Sequence, residues 1–141
     1  MKYFFTWLRE LLSIKKSTEK VSEGQATPSF ENVVVGKIME IEKHPNADRL
    51  QVTKTDVGSE VLQIVCGASN IAVGQKVPVA LVGAKLPNGI EIKEAEIRGV
   101  KSFGMLCAKD ELGLGTDHSG IMILDGETEV GMKFARYIKS Q

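Results

Sequence analysis

The sequence predicts a small, mainly β protein whose short strands close into a barrel. Three observations support this prediction. Apolar and polar residues alternate along several short runs, glycine-containing turns separate these runs, and almost no long helical pattern follows residue 30. The chain has 14 glycines in 141 residues, which suits the tight turns and bulges that barrel closure requires.

The strand-like runs follow one another closely along the chain. The first is rich in β-branched residues, and the second and third flank a Gly58-Ser59 turn. Pro78 lacks an N–H donor, so we expect its strand to lie at an edge or to carry a bulge. Strands are predicted at 33–41, 50–57, 60–65, 76–82, 90–97, 105–107 and 120–124.

Residues 1–29 form a separate unit in this prediction. Apolar residues recur at helical spacing from Tyr3 to Ile14, which predicts a short amphipathic helix. A polar linker containing Gly24 and Pro28 follows, so the main domain is expected over 30–141. The apolar face of the helix, which includes Trp7, must be buried on its own domain or on another protein.

Charge and composition narrow the functional classes. Lysine plus arginine and aspartate plus glutamate are 18 each, so a protein that grips phosphate by bulk charge is excluded. Cys66 and Cys107 both lie in apolar surroundings and are expected to be small buried core residues. The cysteines and histidines lack the paired spacing of a metal site, and we expect no metal and no cofactor.

Localisation follows from what the chain does not contain. The longest apolar run is too short to span a membrane. The apolar N-terminus is interrupted by Arg9 and Glu10, and no small-residue cleavage site follows, which argues against a signal peptide. We therefore expect a cytoplasmic protein with no membrane partner.

A first motif, His44-Pro45-Asn46-Ala47-Asp48-Arg49-Leu50, connects the first two predicted strands. Pro45 fixes the backbone angle φ, and Asn46 and Asp48 favour side-chain hydrogen bonds to a turning backbone. By residue type, this motif is a well-made turn. His44, Pro45, Asn46 and Asp48 are predicted to be turn scaffold, and Arg49 is a candidate for phosphate binding.

A second motif runs from Arg98 to Cys107 and places polar residues between two glycines. By residue type, it is either a bulged strand with a basic tip or a nucleic-acid surface. In the second interpretation, Arg98 and Lys101 meet phosphates, Ser102 bonds a base or backbone oxygen, and Met105 contacts a base face.

Together the two motifs resemble the tRNA-binding oligonucleotide/oligosaccharide-binding (OB) domain near the start of the bacterial phenylalanyl-tRNA synthetase β subunit. The resemblance covers roughly residues 31–131 and includes the segments 63–68, 83–89 and 111–118. It implies a five-stranded OB-fold barrel with tRNA as partner. The candidate nucleic-acid-binding residues are Arg49, Lys54, Lys85, Lys93, Arg98, Lys101, Ser102, Met105 and Lys109.

No catalytic signature accompanies these motifs, since the sequence contains no phosphate-binding glycine loop and no nucleophile motif. We expect a non-catalytic tRNA-binding module. Two alternatives keep the fold: a free-standing homodimeric tRNA-binding or chaperone-like protein, and a structural domain of a synthetase that barely touches RNA. A carbohydrate-binding OB domain has only the fold in its favour.

Overall fold

A computed structural model describes residues 30–87, 89–116 and 119–140 of the chain. The predicted N-terminal helix and linker, residues 1–29, lie outside the described residues, and so does the last residue of the 30–141 domain. The described part is mainly β, which confirms the predicted fold class.

Seven strands and one short α-helix make up the described fold. The strands are β1 (Val33–Lys43), β2 (Gln51–Asp56), β3 (Val61–Cys66), β4 (Lys76–Leu81), β5 (Ala95–Ile97), β6 (Val100–Ser102) and β7 (Gly104–Leu106). A 3-10 helix spans Asp110–Leu112, and the α-helix α1 spans Phe134–Lys139.

Five of the strands form one antiparallel sheet in the order β3-β2-β1-β4-β7. The sheet curls until β7 and the residues before it reach β3. There the Phe103 amide donates to the Gln63 carbonyl at 2.9 Å, and the Val65 amide donates to the Ser102 hydroxyl at 3.0 Å. The result is the nearly closed five-stranded barrel expected of an OB fold.

Apolar side chains on the two faces of this sheet form two separate cores. Along β3, Ile64 and Cys66 face one cluster and Val65 faces the other. The Ile64 cluster also contains Ala68 and Ile71 from the β3–β4 connection, which closes one end of the barrel interior. The Val65 cluster lies outside the barrel, where residues 84–97 and α1 cover the sheet.

The C-terminal segment is fastened to β1. The Val35 amide donates to the Met132 carbonyl at 2.9 Å, and the Gly131 amide donates to the Val35 carbonyl at 2.8 Å. Helix α1 then packs its Phe134 ring edge-on against Phe30, with the ring centroids 5.1 Å apart. This contact places the start of the described chain beside its end.

Two strand predictions were wrong in part. Residues 90–94 alternate but form no strand. Ile90 and Ile92 pack into the Val65 cluster, the outer core, as part of the segment 84–97 that covers the sheet, the covering ribbon. The segment 120–124 forms no strand and pairs with the sheet at one isolated bridge, between Leu124 and Lys76.

Pro78 does not lie in an edge strand, since β4 is flanked by β1 and β7. The β4–β7 ladder covers only Val79 to Leu81, so Pro78 lies just beyond its end. There the Pro78 carbonyl accepts a hydrogen bond from the Cys107 amide at 3.1 Å, and no ladder donor is required of the proline nitrogen.

Candidate nucleic-acid interface

The loop 44–50 between β1 and β2 is organised around a buried histidine. The Asn46 amide donates to Nδ1 of His44 at 2.9 Å, so the proton of the neutral ring lies on Nε2. Nε2 in turn donates to the Ile97 carbonyl at 2.9 Å, across 53 residues of sequence. His44 therefore bonds within its own loop and also fixes the loop to a second segment.

That second segment is the β5–β6 hairpin, whose tip is Arg98-Gly99. The register pairs Ile97 with Val100, which leaves a two-residue connection. Both tip residues have positive φ, 50° at Arg98 and 89° at Gly99, as the tight turns of such hairpins require. The Asn46 side-chain amide donates to the Arg98 carbonyl at 3.0 Å and joins the tip to the loop.

This junction brings several of the predicted basic residues to one part of the molecule. Arg49 lies on the loop, and Arg98 and Lys101 lie on the hairpin, all three exposed. Lys54 lies on the outer face of β2, because its neighbours Thr53 and Thr55 are buried on the inner face. In OB folds, the loop after the first strand, the hairpin after the fourth and the β2–β3 face form the usual binding surface.

The other predicted basic residues lie elsewhere. Lys85 and Lys93 belong to the covering ribbon. The backbone of Lys85 forms an isolated antiparallel β-bridge with that of Glu91, and the Lys93 ammonium lies 4.0 Å from the Glu91 carboxylate. Lys109 is exposed just before the 3-10 helix. The structure therefore separates the predicted set into a group around the loop–hairpin junction and three residues outside it.

Ser102 and Met105 require a correction, because burial removes both from any RNA-facing surface. The Ser102 hydroxyl has no exposed surface; it accepts from the Val65 amide and donates to the Gly104 carbonyl at 3.2 Å. Met105 is 3% exposed and packs in the outer core. The Ser102 hydroxyl helps to close the barrel, and the Met105 side chain fills the core outside it.

The structure also adds a residue that the sequence did not single out. Gln63 is paired with Lys54 on the neighbouring strand, and its side-chain amide donates to the Lys101 carbonyl at 2.9 Å. It thus links the β2–β3 face to the hairpin. Asp48, by contrast, is exposed and makes no side-chain hydrogen bond to the described residues, so no contact supports its predicted turn role.

The two cysteines are buried free thiols, as predicted. Burial raises the pKa of Cys66 to about 12, and burial together with the Glu111 carboxylate raises that of Cys107 well above its usual value of 9.0. Neither thiol is poised for nucleophilic chemistry. Within residues 30–87, 89–116 and 119–140, no cluster of three potential metal ligands occurs.

The part of the chain that the structure describes contains no helix long and apolar enough to cross a membrane.

The cationic side chains at the loop–hairpin junction have the chemistry that binds phosphate groups. A guanidinium presents a fork of donors that matches phosphate oxygens, and an ammonium offers a compact point charge.

Comparisons with known proteins identify the family of this chain. The family described as "Putative tRNA binding domain" matches residues 33–133. The phenylalanine–tRNA ligase beta subunit of Aromatoleum aromaticum is 46% identical over 151 aligned residues, which cover 98% of this chain and 19% of that protein. The corresponding subunit of Nitratidesulfovibrio vulgaris is 53% identical over 106 residues, covering 74% of this chain and 13% of that protein.

A solved structure is similar as well. The crystal structure of the C-terminal domain of Plasmodium vivax p43 has a TM-score of 0.51 and 29% sequence identity, covering 71% of this chain and 56% of that chain. The chain spans about a fifth of the length of the first curated relative that it matches. The family match, the relatives and the barrel together place the chain in one family: it belongs to the tRNA-binding domain family.

Proposed function

We propose that the chain is a non-catalytic tRNA-binding module of the kind found in phenylalanine–tRNA ligase beta subunits. One observation supports this above the others. The two motifs that carry the family resemblance are joined by the hydrogen bonds of His44 and Asn46, and together they present Arg49, Arg98 and Lys101 to solvent.

The mechanism that we propose is weak tracking of the tRNA backbone. The chain has no net charge, so attraction to RNA depends on local groups at the junction. Lys101 lies 4.0 Å from Glu94, and both side chains are more than half exposed. Such a pair contributes little and is screened by salt, so a phosphate can replace the carboxylate at small cost.

Binding of tRNA measured at several salt concentrations tests this proposal. We expect a dissociation constant in the micromolar range or weaker, with a slope of log K against log salt of about −2 to −4, since few phosphates are contacted. A nanomolar complex with a slope near −8 would require a large basic surface elsewhere. Absence of any tRNA binding would favour the assembly role instead.

Substitution of the hairpin cations locates the interface. Arg98→Ala and Lys101→Ala should each weaken tRNA binding by about 1 kcal/mol or more, because each removes a phosphate contact. Lys139→Ala, on helix α1, is a matched control that removes an exposed cation outside the loop–hairpin junction and should leave binding unchanged. Wild-type affinity in both hairpin variants would place the interface elsewhere.

The assembly state is a separate proposal. We favour a role within a larger ligase in the cytoplasm, supported by relatives that are ligase subunits of much greater length. The rival is a free-standing homodimer. Light scattering with and without tRNA separates them, since a homodimer shows twice the chain mass before RNA is added.

We also propose that residues 30–141 fold without residues 1–29. The described core begins at Val33, and Phe30 packs within the same domain against Phe134. Deletion of 1–29 should leave the far-ultraviolet circular dichroism of a β protein and a cooperative unfolding transition. Loss of that transition would show that the two segments share one core.

A further inference from the structure

The β5–β6 hairpin is fixed to the barrel through its own carbonyl groups. His44 donates to the carbonyl of Ile97, Asn46 to that of Arg98, and Gln63 to that of Lys101, at 2.9, 3.0 and 2.9 Å. A carbonyl oxygen only accepts, so the amide nitrogen of each Asn and Gln side chain must face it. The hairpin is therefore held to the barrel by its backbone, and the side chains of Arg98 and Lys101 remain exposed.

The backbone conformation at the hairpin tip is one that needs contacts with the rest of the protein to hold it. Arg98 has a φ of 50°, in the left-handed region that asparagine and glycine adopt at low cost and that longer side chains rarely adopt. A residue held in such a conformation needs contacts that fix it, and such residues concentrate at functional sites. The bond from Asn46 to the Arg98 carbonyl is a contact of this kind.

Lys101 needs a similar constraint. Its ion pair with Glu94 is 4.0 Å long, between side chains that are 60% and 54% exposed, and cannot hold a flexible lysine in place. The bond from Gln63 fixes the Lys101 carbonyl and hence the point from which the side chain extends. Gln63 also sits beside Lys54, so the same amide sets the distance between two cations.

We infer that Asn46 and Gln63 are positioning residues for RNA binding, which act through Arg98 and Lys101 respectively by fixing the hairpin backbone. The inference rests on the proposed function. Asn46 and Gln63 lie outside both apolar cores, and their bonds to the hairpin are exposed. The fold therefore depends little on them, whereas His44 is buried and also serves the core.

Double-mutant cycles test this inference on the full chain with tRNA as the probe. Gln63→Met and Asn46→Leu keep the approximate size of each side chain and remove the donor. Each should weaken tRNA binding about three- to tenfold, the range expected for loss of one hydrogen bond. In the Lys101→Ala background Gln63→Met should have no further effect, and in the Arg98→Ala background Asn46→Leu should have none.

The salt dependence gives a readout that a purely structural role would not move. Each positioning variant should reduce the slope of log K against log salt by about one, because one phosphate contact is lost. Gln75→Met is the matched control, since the Gln75 amide also bonds a backbone carbonyl, that of Asn70, but in the β3–β4 connection. It should change neither affinity nor slope.

The outcomes separate the inference from the function on which it rests. If the intact chain binds no tRNA, the proposed function fails. If Arg98→Ala and Lys101→Ala weaken binding while Gln63→Met and Asn46→Leu do not, the inference alone is overturned. Additive losses in both double variants would also overturn it, because the amides would then act on RNA independently of the cations. The two cycles are independent, so one variant that fails to fold leaves the other decisive.

Discussion

The tip of the β5–β6 hairpin and strand β7 are neighbours in sequence but belong to opposite environments. Arg98, Gly99 and Lys101 are exposed, whereas all three residues of β7 are buried. Ser102 lies at the boundary, with its hydroxyl turned inward to the Val65 amide. The chain passes from a solvent-facing turn to the barrel core within a few residues.

The difference shows that one family motif can serve two purposes. In the first half, charge and an unusual backbone conformation place cations in solvent; in the second half, size and hydrogen-bonding capacity close the barrel and fill the core outside it. A match along the whole motif therefore does not make every matched residue a ligand contact. Substitutions should accordingly divide into those that affect binding and those that affect stability.

Met105→Ala should show the largest effect on stability. Truncating a buried methionine costs about 2–5 kcal/mol, since contacts are lost and a cavity remains. Urea unfolding measures the loss. Lys101→Ala is the control from the exposed half and should change stability by less than about 0.5 kcal/mol. A small loss of stability in Met105→Ala, together with strongly reduced tRNA binding, would indicate that Met105 contacts RNA.

Alkaline pH should have the next largest effect, a lower free energy of unfolding caused by the two buried thiols. Burial raises the pKa of Cys66 from 9.0 to about 12 and that of Cys107 in the same direction. The unfolded chain therefore loses these protons first, so the stability contributed by the thiols is fully present below pH 9 and is lost as the pH rises toward 12. At pH 10, linkage gives a loss of about 1.4 kcal/mol for Cys66, and Cys107 adds a loss of the same sign.

Urea unfolding at pH 7 and pH 10 measures this loss. Lysine and tyrosine groups also titrate in this range, so the comparison is with a Cys66→Ala/Cys107→Ala chain, whose pH dependence should be shallower. Identical pH dependence in the two chains would mean that the thiols are accessible to water in the folded state.

Ser102→Ala should have a smaller effect than these. It removes the acceptor of the buried Val65 amide, and an unsatisfied buried donor costs about 1–3 kcal/mol. We expect a lower urea midpoint, and tRNA affinity that is unchanged where the protein is folded. Ser59→Ala, at an exposed position in the turn between β2 and β3, is a control of the same chemistry. Normal stability with weakened binding would contradict the assignment of Ser102 to barrel closure.

Much of the fold was predictable because alternation is a local signal. Burial on one sheet face imposes a period of two, which β2 follows. Strands β3 and β4 are buried on both faces and were found from their apolar, β-branched composition instead. The alternation signal failed at residues 90–94, where Ile90 and Ile92 pack into the outer core although no strand forms there. Alternation reports which side is buried and does not report what buries it.

The interface was less predictable because its contacts cross the barrel. The Gln63 amide meets a carbonyl 38 residues away, and no feature of the sequence around Gln63 marks it. Ser102 and Met105 were assigned to RNA on the family resemblance, and only the closure of β7 against β3 and β4 shows that the Ser102 hydroxyl faces inward and that Met105 is buried in the outer core. The junction of the two motifs likewise depends on bonds over 52 and 53 residues.

Arg98→Asn should have the smallest effect on stability, and of the opposite sign. Asparagine adopts the left-handed conformation at lower cost than arginine, so the variant should be as stable as the parent or more stable, by up to about 1 kcal/mol. Its tRNA binding should fall as in Arg98→Ala, because the guanidinium is gone. Thermal unfolding and tRNA titration of the same sample measure both. Higher stability with weaker tRNA binding would mean that Arg98 strains the backbone of the hairpin tip and supplies a cation to the interface. A destabilised variant with normal tRNA binding would instead make Arg98 part of the structure, like the buried residues that follow it.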